Sequence, residues 1–367
     1  MPIRQLIINT GSTTTKLGVS EDKNLILTKN LTYGGRLSRF TSIYDQIPLR
    51  TEDIRHFLEQ ENLDLRTFDG IMCRGGMVWG IGMGCYRVGT DLCKALRDER
   101  YCSVHASNLS GLIGKDLADQ AGLSAYIYDA VTAASLPTVA KITGFPNIVR
   151  RSSCHVLNAH AVALRHAERY KLAYEKLRLL VAHLGGGISF CVIDQGNIVD
   201  SIGDDDGAFS PERSGFTQII PIIKMCYSGR YRYEDILAMV RGKGGLSAYL
   251  GTSDAKEIEA MIRMGDRRAE ILYEAQAYQI AKGIGELSIV LRGDCDGILL
   301  TGGLARSRRL VHMVEKYVDF IAPVYVYPGE FEMQALVNGG YRVLTGLEEA
   351  REFSFQRLER NNSLIFE

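Results

Sequence analysis

The pattern of apolar and polar residues repeats one strand-turn-strand unit. Residues 6–19 and 180–193 each contain an apolar run, a turn of glycine and small hydroxyl residues or of glycine alone, and a second run with β-branched residues. In both copies an Asp follows, and an Asn then opens a further apolar stretch. Gly11 and Gly185 occupy the same place in the two copies. Short runs joined by such turns predict paired strands, so we expect two similar halves.

Between and after the two copies, helical spacing alternates with extended runs. Thr51 and the acids that follow it are typical of a helix start, with Thr51 as the cap. The pattern predicts helices over 51–60, 107–120, 154–171, 254–261, 267–291, 306–320 and 331–347, and strands over 5–10, 15–20, 69–73, 125–129, 178–184, 187–193, 296–300 and 323–327. This alternation predicts an α/β fold, and the adjacent strand pairs predict mixed sheets flanked by helices.

The length and the repeat predict two domains and a terminal segment. The chain has 367 residues, which is enough for two domains of ordinary size. The second copy begins after Pro146, and no low-complexity linker separates the halves. We therefore expect domains at 1–150 and 151–330, and a terminal helix and tail at 331–367 that packs back toward the first domain.

Composition excludes some classes of function. Lys plus Arg equals Asp plus Glu, 43 each, which gives no reason to expect a nucleic-acid or membrane partner. No apolar stretch is long enough to span a bilayer, and the start of the chain does not resemble a secretory leader. The eight cysteines form no Cys-x-x-Cys pair, so we expect reduced thiols in the cytoplasm.

Three glycine-rich turns are candidates for binding phosphate. The turn at 9–16 combines close backbone approach with hydroxyl groups and Lys16, although a polar hairpin turn with no ligand has the same composition. Its spacing differs from that of the strand-to-helix nucleotide loop. The turn at 183–189 has three consecutive glycines, which are costly unless a ligand or an unusual backbone requires them. The turn at 301–305 lies between a strand and a helix, a common phosphate site.

Isolated basic residues stand beside such turns. Arg74 ends an apolar strand before two glycines, and Arg213 lies in a loop of small residues. An Arg fixed in this way is a candidate clamp for a carboxylate or phosphoryl oxygen, whereas a lone Arg is more often a surface charge. His155 opens a helix, and its alternative interpretation is a structural histidine.

Acidic residues offer fewer distinct candidates. Asp129 ends a strand, where an acid that organises Mg²⁺ often stands. Glu330 and Glu332 open the last helix, where an acid also complements the helix dipole. The run of three Asp at 204–206 is expected to be a solvated turn rather than a metal cage.

Taken together, the motifs resemble those of the butyrate kinases, in the acetate kinase family. That family belongs to the superfamily of sugar kinases, actin and heat-shock ATPases. The resemblance extends from Ile3 to Leu347. It is carried, in order, by the residues at 9–16, 105–109, 183–189, 209–215, 277–282, 300–305, 320–324 and 327–330.

The resemblance implies two duplicated ribonuclease H-like domains with an interdomain active-site cleft. It implies that the first phosphate loop comprises Asn9, Ser12, Thr14 and Lys16. The second phosphate loop would comprise His183, Gly185, Gly186 and Gly187, with Gly302 and Gly303 near the adenosine. The catalytic residues implied are Arg74, His155, Arg213 and Asp129, and the Mg²⁺ residues are Asp129 and Glu332.

The implied activity is Mg²⁺-dependent transfer of a phosphoryl group from ATP to a short-chain carboxylate, with butyrate as the first expectation. Alternatives are another short or branched fatty acid, a sugar or polyol as acceptor, or a nucleotide-gated module without catalysis. The resemblance also implies a homodimer or a larger homo-oligomer. Cys154 and the segment 77–85 depart from related enzymes near the acyl group, so acyl preference stays open, as does the physiological direction.

Overall fold

The computed structural model describes residues 1–362 of the chain. The strands, in chain order, are β1 (Arg4–Thr10), β2 (Thr14–Glu21), β3 (Asn24–Thr32), β4 (Gly70–Arg74), β5 (Cys85–Arg87), β6 (Ala125–Tyr128), β7 (Arg178–Leu184), β8 (Ile188–Asp194), β9 (Asn197–Ile202), β10 (Gly297–Gly302) and β11 (Val324–Pro328).

The α-helices follow the same order. They are α1 (Ile47–Gln60), α2 (Thr90–Ala95), α3 (Asn108–Ala121), α4 (Thr138–Lys141), α5 (Val156–Tyr170), α6 (Ile219–Cys226), α7 (Tyr233–Val240), α8 (Gly245–Leu250), α9 (Ala255–Arg263), α10 (Arg267–Ser288), α11 (Arg308–Val318), α12 (Glu332–Leu344) and α13 (Phe355–Asn362).

These elements form two compact units. The first unit contains residues 1–151 together with the segment that begins at Phe331, and the second unit is Ser152–Glu330. The first unit is therefore discontinuous in sequence, because α12 returns to it after the second unit is complete.

The sheet of the first unit has the strand order β3-β2-β1-β4-β6-β5. Strands β1, β2 and β3 are antiparallel neighbours, whereas β1, β4 and β6 run parallel, and the short β5 pairs antiparallel with β6 at the edge. Helices α3 and α12 both pack on β1, β4 and β6. Since Met72 and Cys73 are adjacent on β4 and both fully buried, both faces of this strand are covered.

The sheet of the second unit repeats this plan. Its order is β11-β10-β7-β8-β9, with β7, β8 and β9 antiparallel and β7, β10 and β11 parallel. Helix α10 packs on β7 and β8, and α5 packs on β7 and β10. The core includes Phe190, Tyr273 and Leu300. The two equivalent strand orders confirm the predicted α/β class, its mixed sheets and its duplication.

One predicted boundary is wrong. Thr51 does not cap α1, because the helix already begins at Ile47 and Thr51 is buried inside it. Pro48 stands in the first turn, where its fixed φ suits a helix and its missing N–H costs nothing. The helices α6 and α7 were not predicted from the sequence at all. No helix within residues 1–362 is both long and apolar enough to cross a membrane.

Candidate active site

The turn between β1 and β2 is held by Arg50, a fully buried residue of α1. Its Nη1 donates to the Thr14 carbonyl at 3.0 Å and to the Thr15 hydroxyl at 2.9 Å. Its Nη2 donates to the carbonyls of Gly11 at 3.1 Å and Ser12 at 3.3 Å. One guanidinium therefore engages three carbonyl oxygens of the turn and fixes its shape.

The remaining contacts of Arg50 show why a charge is tolerated there. Its Nε and Nη2 donate to Gln46 Oε1 at 3.2 and 2.9 Å, and its guanidinium carbon lies 4.6 Å from the centroid of the Tyr33 ring. Burial lowers the Arg50 pKa, and Tyr33 opposes that shift. Sequence reasoning missed this residue, although a signal existed. Arg50 shares a helix face with Ile54 and Phe57, and a charge on an apolar face needs buried polar partners.

The predicted residues of this first loop differ in exposure. Ser12 and Lys16 are exposed, Thr14 is half-buried, and Asn9 is buried. Asn9 and Lys16 face each other in the β1–β2 ladder. The hydroxyl of Ser12 and the ammonium of Lys16 are therefore accessible to a ligand, while the Asn9 side chain contacts other protein groups.

Arg74, Asn9 and Glu332 meet at the end of two parallel strands. Asn9 lies near the end of β1 and Arg74 at the end of β4, so their side chains reach the same edge of the sheet. Arg74 Nη1 donates to Asn9 Oδ1 at 3.4 Å, and Arg74 Nη2 lies 3.3 Å from Glu332 Oε1. Asn9 Nδ2 donates to Glu332 Oε2 at 2.9 Å. Three residues that the sequence places far apart thus form one polar cluster.

Asp129 follows β6 at the same edge and has an unusual backbone. Its φ is 45°, in the left-handed region that few residues other than glycine occupy. The side chain is buried, its Oδ1 accepts from the Gly84 N–H at 2.8 Å, and its own N–H donates to the Gly84 carbonyl at 3.2 Å. Local strain of this kind is typical of functional positions.

Glu330 and Glu332, which sequence reasoning treated as neighbours, belong to different units. Glu332 lies in the first unit with Asp129, and Glu330 lines a cavity of the second unit. Within residues 1–362, no group of three or more His, Cys, Asp or Glu side chains is arranged to hold a metal. A Mg²⁺ ion commonly takes only one or two protein carboxylates and completes its shell with water and phosphate, so Asp129 and Glu332 have suitable chemistry.

In the second unit, His155 is fixed by β8. The Ser189 hydroxyl lies 2.7 Å from His155 Nδ1 and 3.2 Å from the His155 backbone N–H. The His155 ring stacks on that of the buried His183, with centroids 3.8 Å apart and planes 9° apart. Asn158 Nδ2 lies 3.0 Å from His183 Nδ1 and donates to the Thr301 hydroxyl at 3.2 Å. Sequence reasoning missed Asn158, which links α5 to β7 and β10.

The triple-glycine turn between β7 and β8 is held differently from the first loop. The Gly185 N–H donates to the Gly187 carbonyl at 3.1 Å, and the Ser210 hydroxyl donates to the Gly186 carbonyl. A Cβ on Gly187 would lie 2.9 Å from Asp204 Cβ and 3.1 Å from Arg213 Nε. Glycine is therefore required at this position because an ion pair packs directly against the backbone.

That ion pair belongs to Arg213. Its Nη1 donates to Asp205 Oδ1 at 2.9 Å, and its Nη2 lies 3.1 Å from Asp204 Oδ2. Arg241 also donates to Asp205, through Nε at 2.7 Å. The Arg213 N–H donates to the Ser210 hydroxyl at 3.0 Å, so Ser210 connects the arginine loop to the triple-glycine turn.

Burial raises the pKa of Asp204, and the adjacent Arg213 opposes that shift. The predicted solvated turn is therefore wrong for Asp204 and Asp205, because both carboxylates hold Arg213. The sequence contained no spacing signal for these contacts, since the loop that carries Arg213 returns to the acidic run only in three dimensions.

The third glycine-rich turn lies at the end of β10. Gly302 has φ 92°, and a Cβ there would lie 2.7 Å from the Leu184 carbonyl carbon. The Gly302 N–H donates to the Gly329 carbonyl at 3.0 Å, whereas Gly303 has open space beside it. A cavity of about 420 Å³ in the second unit is lined by Gly185, Gly186, Lys256, Gly303, Arg306 and Glu330, among others. It thus joins the second and third predicted turns.

The segment 77–85, beside Arg74, is a structured loop. Asn108 is fully buried and accepts from the Met77 N–H at 2.8 Å, while Thr132 donates to the Val78 carbonyl at 2.5 Å. The Arg151 guanidinium lies over the Trp79 ring at 4.8 Å. Asn108 of the motif at 105–109 therefore supports the loop. In the second unit, Cys154 is buried, and its contact with the Cys191 thiol raises the pKa of Cys191.

The chain is similar to known proteins in sequence and in fold. The pattern of the Acetokinase family matches residues 130–322. Butyrate kinase 2 of Clostridium acetobutylicum is 40% identical over 356 residues, which cover 96% of this chain and 100% of that protein. Probable butyrate kinase 2 of Caldanaerobacter subterraneus subsp. tengcongensis is 41% identical over 345 residues, 94% of this chain and 97% of that protein. The structure of Porphyromonas gingivalis acetate kinase matches with a TM-score of 0.77 at 18% identity, over 94% of this chain and 100% of that one.

Proposed function

The chain belongs to the Acetokinase family, and from this premise we infer that it is a short-chain carboxylate kinase that converts butyrate and ATP to butyryl phosphate and ADP. The observation that carries the inference is the 40% identity with butyrate kinase 2 of Clostridium acetobutylicum, which extends over 96% of the chain. The fold agrees with that of an acetate kinase. We keep butyrate ahead of acetate and propionate because the similar curated proteins are named for butyrate.

The nucleotide is assigned to the second unit. In this proposal, the Gly185 N–H holds the turn in shape through the Gly187 carbonyl, the backbone N–H groups of Gly186 and Gly187 bind phosphate oxygens, and Gly302 and Gly303 lie beside the adenosine. Support comes from the cavity of about 420 Å³, whose lining includes the turn glycines and the basic residues Lys256 and Arg306. Ser12, Thr14 and Lys16 of the first unit are proposed to contact phosphate as well, since Ser12 and Lys16 are exposed beside the turn that Arg50 holds.

The carboxylate is assigned to Arg74. A short-chain acid has a pKa close to that of a Glu side chain, about 4–5, and is ionised at neutral pH. It therefore needs no general base, but its negative charge must be neutralised before it can approach ATP. Support comes from the ion pair of Arg74 with Glu332, whose Oε1 lies 3.3 Å from Arg74 Nη2, because this guanidinium is already oriented to bind a carboxylate.

Transfer itself is proposed to depend on Arg213 and His155. A carboxylate oxygen attacks the γ-phosphorus, the bond to the β–γ bridging oxygen breaks, and ADP leaves with that electron pair. Positioning and charge stabilisation dominate such reactions. Arg213 and His155 are each held by protein groups, Asp205 and Ser189, so they are oriented in advance. If Ser189 donates to Nδ1, the His155 proton stands on Nε2 and is available to a phosphoryl oxygen.

Mg²⁺ completes the proposal. Asp129 and Glu332 would hold it, and the ion would supply positive charge that offsets the charge of the nucleotide phosphates. Asp129 is buried at the sheet edge that also carries Arg74. The proposal also includes a cytoplasmic location, which the eight free cysteines support.

An acceptor panel tests the function. ATP and Mg²⁺ are supplied with acetate, propionate, butyrate, isobutyrate, valerate, glucose or glycerol, and acyl phosphate is trapped as the hydroxamate while ADP is measured separately. We expect hydroxamate with short acids and the highest kcat/KM with butyrate. ADP formed only with glucose or glycerol would overturn the carboxylate assignment in favour of a polyol kinase. ADP formation indifferent to every acceptor would indicate a nucleotide-gated module.

A further inference from the structure

A series of hydrogen bonds in the second unit runs from a backbone carbonyl to the ring of His183. The Thr301 hydroxyl donates to the Gly329 carbonyl at 3.2 Å, and Asn158 Nδ2 donates to the Thr301 oxygen at 3.2 Å. The same Nδ2 lies 3.0 Å from His183 Nδ1. Asn158 and Thr301 are fully buried and His183 is 3% exposed, so their polar atoms need partners within the protein.

The direction of this series is fixed at its carbonyl end. A carbonyl oxygen can only accept, so the one hydrogen of the Thr301 hydroxyl is engaged by Gly329. The Thr301 oxygen then accepts from Asn158, which requires the amide nitrogen, and not the amide oxygen, to face it. The other hydrogen of that nitrogen is available to His183 Nδ1. His183 Nδ1 is therefore the acceptor of this bond and carries no proton.

These contacts define the protonation state of His183. An imidazole with an unprotonated Nδ1 is neutral and has its proton on Nε2. A charged His183 would direct an N–H at the N–H of Asn158, which leaves buried donors unsatisfied. The stacked ring of His155 gives a second reason, because the centroids are 3.8 Å apart and a charge on each ring would be repulsive. Asn158 and His155 thus both favour the neutral form of His183.

The protonated nitrogen of His183 lies against the triple-glycine turn. A Cβ added to Gly185 would be 2.7 Å from His183 Nε2. We propose that Asn158 is a positioning residue that holds the His183 proton on Nε2, so that His183 presents an N–H donor to an anion bound at this turn. The identification of that anion as a nucleotide phosphate rests on the proposed function, whereas the position of the proton does not.

The position of the proton is measured by nitrogen-15 NMR of protein labelled in its histidine rings. The chain has seven histidines, and the His183→Gln variant assigns the signal of His183. In the wild type at neutral pH we expect a neutral ring with its proton on Nε2. A proton on Nδ1, or an imidazolium, would overturn the proposal. This measurement uses the unaltered protein and no substrate, so it does not depend on how any variant at Asn158 folds.

Variants then test whether Asn158 sets this state. Asn158→Asp keeps the size of the side chain, but its carboxylate can only accept, so we expect His183 to gain a proton on Nδ1. Thr301→Val keeps the shape of Thr301 and removes the hydroxyl that orients the amide, so a population with the proton on Nδ1 should appear. Thr301→Ser is the matched control and should retain the wild-type spectrum. Folded Asn158→Asp and Thr301→Val proteins with wild-type His183 signals would show that Asn158 only connects α5 to β10.

Kinetics test the consequence for the nucleotide. With the proton on Nδ1, His183 directs a lone pair at the phosphate, so Thr301→Val should raise the KM for ATP about tenfold, as expected for the loss of a hydrogen bond to a charged group. The KM for butyrate should change little. A changed tautomer with an unchanged KM for ATP would overturn the role toward phosphate. Because the NMR measurement needs no catalysis, failure of the acceptor panel and failure of this inference are separate results.

Discussion

The two copies of the strand-turn-strand unit each have an arginine beside the turn, but the two arginines differ in burial and in partners. In the first loop, the guanidinium of Arg50 is fully buried and binds the carbonyl oxygens of the turn. In the second loop, the carbonyl of Gly186 is held by a neutral hydroxyl, and the guanidinium of Arg213 packs beside Gly187 with 28% of its side chain exposed. Duplication has kept the strands, while one arginine supports structure and the other is accessible for chemistry.

The largest expected effect is that of removing Arg213, the partly exposed arginine of the second loop. Arg213→Ala should lower kcat by about 10²–10³, because one group that stabilises charge in the transition state is removed. His155→Ala should have a similar effect. Steady-state formation of hydroxamate measures both. His56→Ala is the control and should change kcat little, since His56 is an exposed residue of α1. A comparable loss from His56→Ala would show that the site has been misplaced.

A methyl group added to each turn provides a matched comparison. Gly187→Ala should lower kcat/KM about 10–100-fold, because its Cβ would displace Asp204 and Arg213 and a small misplacement is costly in catalysis. Gly11→Ala should cost far less, since its Cβ would meet only Thr14, with the nearest atom at 3.3 Å. Steady-state kinetics of the two purified variants measure the two losses in kcat/KM. Equal losses would mean that close packing against an ion pair is not what distinguishes the second loop.

The buried cation should affect stability more than chemistry. Arg50→Leu removes the donor from the buried Thr15 hydroxyl and from three part-buried carbonyl oxygens of the first loop, and an unsatisfied buried group costs about 1–3 kcal/mol. We expect a destabilisation in that range or above, read from urea unfolding, and a raised KM for ATP. Arg55→Leu, on the same helix but more exposed, should unfold like the wild type. Wild-type stability in Arg50→Leu would contradict a structural role for Arg50.

The smallest expected effect is a pH dependence of the free energy of unfolding, which arises from Asp204 beside the second loop. Burial raises the pKa of Asp204, so the folded state binds this proton more tightly than the unfolded state does. As pH rises from the ordinary Asp range through the raised pKa, the free energy of unfolding should fall, because the unfolded chain ionises first. Asp204→Asn removes this contribution, so the difference in stability between wild type and variant should change across that window. A stability difference that stays constant across this pH range would falsify the raised pKa of Asp204.

The sequence predicted the strands, turns and fold class better than the side-chain contacts that hold the site together. The strand pairs, the glycine turns and the α/β class follow from the spacing of apolar residues and from the residue types in the turns, and both are local features of the sequence. Arg74, Asn9 and Glu332 were each singled out, but the hydrogen bonds that join them depend on parallel strands ending at one edge. Arg50 reaches the first loop across 35–39 residues and Arg241 reaches Asp205 across 36 residues, and no local pattern encodes these contacts. Their roles in catalysis remain predictions.

Helix α6 shows a second limit of predicting structure from the sequence. An isoleucine-rich stretch beside Pro221 was not predicted to be helical, because its apolar residues are not arranged on one face and nothing in the same unit buries them. A pattern rule assumes that a helix packs on its own domain. When a helix is not covered by its own domain, its apolar residues need not follow the helical spacing that the rule looks for.

The return of α12 to the first unit has a consequence for synthesis. Glu332, which pairs with Arg74 at 3.3 Å, is made only after the entire second unit has been synthesised. Domains generally fold as they emerge, N-terminal parts first. Here the earlier unit has all six strands of its sheet but lacks α12 while the later, uninterrupted unit is made. The growing chain therefore remains without its finished polar cluster of Asn9, Arg74 and Glu332 until the second unit has been synthesised.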